Sequence, residues 1–172
     1  FDGLKLAARE VGSVQIQNTA TVAGNLCNAS PAADGVPPLL AMDATVELTG
    51  PQGSRRMPLA DFILGPRHTD LASGEMMTAI RVPDGPGQSA FRKLGARRYL
   101  VISIAMVAAV VTRDADGAIR QARLAVGSCS PVARRLSTLE AALVGADAAA
   151  VASIIDATPL PEIAPIDDLR AT

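Results

Sequence analysis

Between Asn18 and Asp34 the chain reads NTATVAGNLCNASPAAD, a stretch whose large aliphatics are confined to Val22 and Leu26. Everything else in it is small, hydroxylated or amide-bearing, and a carboxylate closes it. These residue types suit contact with a phosphate or with the polar edge of a ring. Thr21 offers a hydroxyl and Ala23 adds almost no bulk. Gly24 can adopt positive φ and lets a ligand approach the main chain. Asn25 carries an amide that both donates and accepts. Consecutive bare N–H groups at such a turn can form an anion-binding nest, and Asp34 could accept hydrogen bonds from the hydroxyls of a ribitol or ribose. The same string also suits an ordinary tight turn in which Asn and Asp cap the backbone. Residue types alone leave both readings open. The common nucleotide fingerprints, G-x-G-x-x-G and G-x-x-x-x-G-K-[ST], do not occur.

Other residues with chemical potential are few. His68, the single histidine, sits in GPRHTD with no partner nearby in sequence, and reads as a surface-loop residue. Asp167 and Asp168 with Arg170 resemble a paired-carboxylate site but fall in a terminal turn, where exposed capping is expected. Cys27 and Cys129 lie far apart and outside any C-x-x-C pair. They read as reduced thiols rather than a disulfide, zinc or iron–sulfur framework. No metal ligands and no catalytic acid, base or nucleophile are assigned.

Sixteen basic and seventeen acidic residues give a net charge of −1, without blocks of like charge. Phosphate-backbone binding needs a basic stripe, so nucleic acid is not an expected partner. The longest apolar run, Leu100 to Val111, contains Ser103 and is too short to span a bilayer. With no secretory signal pattern, a cytoplasmic protein is expected. The chain opens FDGLKLAAREVGS without an initiator methionine and ends APIDDLRAT, which reads as a piece of something longer.

The elements that must position these residues follow from periodicity. Leu4, Ala7, Ala8 and Val11 recur at helical spacing over Asp2 to Glu10, and Gly12-Ser13 stop that helix. A short helix is expected from Pro37 to Met42. A hairpin follows, with strands Thr45–Thr49 and Arg55–Pro58 turning at GPQG. Leu59 to Leu64 reads as a helical turn, GPRHTDLASGE as loop, and MMTAIRVP as strand. DGPGQ, Asp84 to Gln88, cannot hold regular structure and marks a boundary between 1–84 and 88–172. Beyond it, the apolar run and AIRQARLAVGSC form a second hairpin around DADG, followed by helices over Leu136–Val144 and Asp147–Asp156. Short strands and helices without β-α-β repetition indicate an α+β fold.

The stretch VGSVQIQNTATVAGNLCNASPAAD resembles the flavin-binding segment of the FAD subunit of the molybdenum hydroxylases. That family includes xanthine dehydrogenase and the medium subunit of aerobic carbon monoxide dehydrogenase. GPRHTDL, GEMMTAIRVP, SAFRKLGARR and APIDDLRAT resemble it too, in the same order, so the likeness covers essentially the whole chain. It implies the second lobe of a two-lobed FAD-binding fold over 1–84, with mixed and antiparallel strands and short helices. A small α/β C-terminal domain over 88–172 would follow, with its final helix expected to be absent. The first FAD lobe, with its glycine-rich loop, would precede Phe1. By the same resemblance Thr21, Val22, Ala23, Gly24 and Asn25 meet the FAD pyrophosphate and its surroundings, and Asp34 binds the hydroxyl-bearing chain. Val11 and Lys93 are further contacts, and Met77 packs on the isoalloxazine. Partners implied are an iron–sulfur subunit with [2Fe–2S] clusters and a molybdopterin-binding subunit with the molybdenum cofactor.

Two departures modify the expectation. Ala23 replaces one of the family's paired glycines, which matters if that residue needs positive φ. After Arg97-Arg98 the chain reads YLVIS with no carboxylate, where xanthine dehydrogenases are acidic, which disfavours NAD as acceptor. Two other functions remain compatible with the residues. One is a different flavoenzyme on the same two-lobed fold, such as the reductase of cell-wall precursor synthesis. The other is an assembly module that has lost its cofactor.

Overall fold

The computed structural model describes residues 1–165 and 167. Its opening helix, α1 (Asp2–Glu10), ends where Gly12 takes φ +48°, a backbone angle that glycine adopts without a Cβ clash. The chain then doubles back through two one-and-a-half-turn helices, α2 (Val14–Thr19) and α3 (Val22–Cys27). Next comes α4 (Val36–Ala41), which carries prolines at its start, where their missing N–H groups cost nothing, and is buried along its whole length.

A three-stranded antiparallel sheet follows, in the order β2 (Gly53–Pro58), β1 (Thr45–Gly50), β5 (Met76–Arg81). Val46 and Leu48 point into the core, while Glu47 and Thr49 face outward, the alternation of a half-buried strand. On the outer face Glu47 meets Arg56 and Arg81 across the two neighbouring strands. The turn α5 (Leu59–Phe62) buries Phe62 beneath the sheet. The helical turn expected to run to Leu64 ends at Phe62, and a small ladder of β3 (Ile63–Gly65) and β4 (His68–Thr69) takes up its last two residues and part of the stretch that the sequence reads as loop.

Residues 82–87 carry no regular structure. Beyond them β6 (Gln88–Leu94), β7 (Ala105–Arg113), β8 (Ile119–Gly127) and β9 (Arg134–Arg135) form an antiparallel meander, and α6 (Ser137–Leu143) and α7 (Val151–Ala157) close the described chain. Met106, Ala108 and Val110 of β7 join one core with Phe91, Leu26 and Leu39. Val111 on the opposite face packs toward a second core made by Ile119, Leu139 and Leu143. Because both faces are covered, this part of the sequence is a continuous apolar run rather than an alternating one. The first core draws on both sides of the 82–87 segment. Arg123 and Arg135 add ion pairs across it to Asp43, and Arg135 also holds Glu140.

Candidate functional site

The stretch TVAGN does not form a positive-φ turn. It is the first turn of α3, capped by Thr21, whose Oγ1 accepts a 2.9 Å hydrogen bond from the Gly24 amide. Gly24 is helical and Ala23 takes no positive φ, so the alanine at the paired-glycine position fits without strain. In place of either turn that the residue types allow, the nest or the ordinary tight turn, the chain has a helix start, where the first amide groups have no intrahelical acceptor. The exposed face of this turn presents Thr21, Val22 and Gly24, with Asn25 half-buried beside them, while Ala23 packs against the main core.

Asn25 is held in one orientation. Its Oδ1 accepts from the Gly35 amide at 3.2 Å, which leaves the side-chain NH2 as the donor. A Cβ at Gly35 would lie 2.7 Å from that Oδ1, so the glycine is what lets the amide settle against the backbone.

Asp34 lies just before Gly35 and is 6% exposed. Lys93 Nζ sits 2.8 Å from Oδ2, and Ser103 Oγ donates to Oδ1 at 2.7 Å. Lys93 Nζ also donates to the carbonyl of Glu10 at 3.2 Å, one of the terminal carbonyls that α1 cannot satisfy internally. A single ammonium thus ties the end of α1, the loop after α3 and strand β6. Burying an ion pair is tolerated when its remaining hydrogen-bonding capacity is filled, and Ser103 helps fill it here.

The segment between β6 and β7 is shaped by Arg97, whose guanidinium donates to the carbonyls of Tyr99 and Leu100 at 2.9 and 2.5 Å. Leu100 takes φ +51° in this turn, and Leu100 and Ile102 are exposed. The Ile104 amide returns to the Leu94 carbonyl, closing the loop at 2.8 Å.

These pieces enclose a groove with two connected parts. The first, about 640 Å³, is lined by Leu4, Val11, Ile16, Val22, Gly24 and Asn25 among others. The second, about 460 Å³, shares Val11, Ile16 and Asn25 and adds Asp34, Lys93 and Ile102. Seven of the nine residues nominated from the resemblance line it: Val11, Thr21, Val22, Gly24, Asn25, Asp34 and Lys93. Ala23 and Met77 do not. Met77, 8% exposed on β5, is packed in the main core. Ser103 and Gly35 were not nominated. The signal for Ser103 was present as the lone hydroxyl in an apolar run, whereas nothing local marked Gly35.

The remaining candidates stay apart from the groove. His68 is exposed on β4. Burial raises the thiol pKa of Cys27, which packs half-buried against the core. Among the described residues, no group of three His, Cys, Asp or Glu side chains is placed to hold a metal ion. Asp167 is exposed, and Asp168 and Arg170 lie outside the described residues.

Comparison with known proteins gives the frame for this geometry. Residues 1–85 match the family model described as the FAD binding domain in molybdopterin dehydrogenase. Residues 89–172 match the CO dehydrogenase flavoprotein C-terminal domain. The nicotinate dehydrogenase FAD-subunit of Eubacterium barkeri is 38% identical over 145 residues, covering 81% of this chain and 49% of that protein. The xanthine dehydrogenase FAD-binding subunit of Escherichia coli O157:H7 is 34% identical over 137 residues, covering 78% and 47%. Among solved structures, a carbon monoxide dehydrogenase from Hydrogenophaga pseudoflava superposes with TM-score 0.90 at 31% identity. That match covers 100% of this chain and 60% of the other. The chain spans about half the length of the curated relatives it matches. It belongs to the family of FAD-binding subunits of the molybdenum hydroxylases, the flavoproteins of the xanthine and carbon monoxide dehydrogenases.

Proposed function

We propose that the groove between α1–α3 and the segment after β6 is one wall of an FAD site. In the intact enzyme, electrons from [2Fe–2S] clusters on an iron–sulfur subunit would pass through that FAD to an acceptor, having arisen at a molybdenum cofactor in a molybdopterin-binding subunit. The observation that carries this reading is the meeting, in one groove, of a capped helix start and a buried, oriented carboxylate. When bound, FAD supplies the two-electron to one-electron chemistry. The chain's own residues bind and orient it.

The residues fit such a ligand. Gly24 leaves the backbone bare on the groove wall, and Thr21 and Asn25 stand on either side of it as polar contacts for phosphate oxygens. Asp34 is an acceptor for polyol hydroxyls, and it is held as a carboxylate's acceptor face by Lys93 and Ser103. Val11, Ile16 and Ile102 supply apolar contact that excludes water. Residues 1–84 act as the second lobe of the FAD fold and 88–172 as the C-terminal domain. A further lobe would cover the open side, where Ile16, Val22 and Ile102 are exposed. Asp34, Lys93 and Asn25 are engaged in contacts that fix their orientation, which suits a positioning role for the chain.

The test is the visible spectrum of the full-length subunit purified from its complex. Visible flavin absorption bands are expected, and they should be lost in an Asn25→Leu/Asp34→Leu variant. A folded, colourless subunit that takes up no added FAD would overturn the proposal and leave an assembly role.

A further inference from the structure

A hydroxyl in the middle of a long apolar run needs a reason, because burying it without a partner costs about 1–3 kcal/mol. Ser103 is fully buried, and its Oγ donates to Asp34 Oδ1 at 2.7 Å. The other oxygen, Oδ2, takes the Lys93 ammonium at 2.8 Å. A carboxylate has about four lone-pair sites, so these two bonds, one on each oxygen, fix the plane of the group without exhausting its capacity as an acceptor. One anchor alone would leave the carboxylate free to swing about that contact. Two anchors on different oxygens remove that rotation, and Asp34 still lines the second part of the groove.

The anchors also come from outside the segment they serve. Asp34 belongs to the stretch matched by the FAD-binding domain, whereas Lys93 and Ser103 belong to the stretch matched by the C-terminal domain. Ser103 lies at the end of the loop that Arg97 braces and that the Ile104–Leu94 hydrogen bond closes. Its hydroxyl is therefore placed by β6 and β7 rather than by local sequence around Asp34.

We propose that Ser103 is a positioning residue for the flavin site: its hydrogen bond, opposite Lys93, turns Asp34 so that the free acceptor positions of the carboxylate meet the hydroxyl groups of the ligand's polyol chain. Ser103 touches no ligand itself. This rests on the reading that Asp34 faces the polyol.

The experiment uses the full-length subunit in its complex, stripped of flavin, and compares riboflavin with lumiflavin, which has the same ring system and no polyol chain. Ser103→Ala is expected to weaken riboflavin binding by about tenfold while changing lumiflavin less than about twofold. Ser103→Cys, which keeps the volume but is a weak donor, should do the same and stands in if the alanine variant is poorly folded. Equal losses for both flavins would reduce Ser103 to a purely structural role and overturn the proposal, as would no loss for either. Asp34→Ala separates the two layers. If it discriminates against the polyol and Ser103→Ala does not, positioning fails while the site reading stands. If Asp34→Ala does not discriminate, or the unaltered protein binds no flavin, both fail together.

Discussion

Lys93 offers the sharpest test of how the site is built. Its ammonium and the Asp34 carboxylate are each about 7% exposed, at 2.8 Å. Lys93→Met fills much the same space, removes the cation, and leaves a buried carboxylate with Ser103 as its described donor. Stranding one member of a buried pair costs about 3–5 kcal/mol, and the retained serine bond offsets part of that, leaving about 3 kcal/mol. For a domain of this size that corresponds to a fall in Tm of roughly 6–12 °C. Asp34→Asn should cost about 1 kcal/mol less, because Lys93 keeps its bond to the Glu10 carbonyl. The double variant Asp34→Asn/Lys93→Met should be less damaged than the sum, with a coupling of about 2 kcal/mol. The chain has no Trp and one Tyr, so urea unfolding is best followed by far-UV circular dichroism. A loss below about 1 kcal/mol for Lys93→Met, with additive effects in the double variant, would show that the pair does not hold these segments together.

Two further outcomes are accessible. The Arg55 guanidinium, helped by the Ala72 amide, holds Glu75 down at about 2, and the Thr138 amide and hydroxyl hold Glu162 there too. Carboxylates lowered in this way add stability that is complete above their ordinary range and is lost as pH falls toward their folded values. Urea midpoints should therefore be flat from pH 7 to 5 and decline from about 4.5 to 2, and Glu75→Gln should flatten part of that decline; an unchanged slope would refute the assignment. Gly35→Ala places a methyl 2.7 Å from Asn25 Oδ1 and should displace that amide. Flavin affinity in the full-length subunit is then expected to fall about tenfold, for a stability change of about 1 kcal/mol. Unaltered titrations would mean that the Asn25 orientation is irrelevant to binding.

Elements whose signal is local were legible in the sequence. Helix α1 coincides with the Asp2–Glu10 expected from its apolar spacing, and the Thr45–Pro58 hairpin follows its turn residues. Elements that depend on distant partners were not. The two-residue strands β4 and β9 exist because β3 and β8 offer ladders to them, and nothing in RHT or ARR announces that. TVAGN reads as a turn in the sequence because glycine is permissive in turns and helices alike, and the Thr21 cap that decides for helix resembles any other hydroxyl there. Met77 illustrates the same limit in reverse. An apolar residue suits both a cofactor face and a core, and only the packing of β5 against β1 puts it in the core.

The seam between the two matched segments explains why the site is where it is. A groove lined by one rigid body can be specified by neighbouring residues, but this one has its carboxylate on one segment and both of that carboxylate's anchors on the other. The shared core, with Phe91, Met106 and Ala125 packed among Ala7, Leu26 and Val36, fixes those anchors relative to α3. Core packing is close to crystalline density, so a shift at the seam is transmitted rather than absorbed. A substitution far from the groove that loosens this core, such as Met106→Ala, should therefore weaken the proposed polyol contact as well as stability. A substitution on the outer face of the β2–β1–β5 sheet, such as Arg56→Ala, breaks an exposed pair and should leave the groove untouched. Sensitivity of the site thus follows connection to the seam and not distance from the ligand.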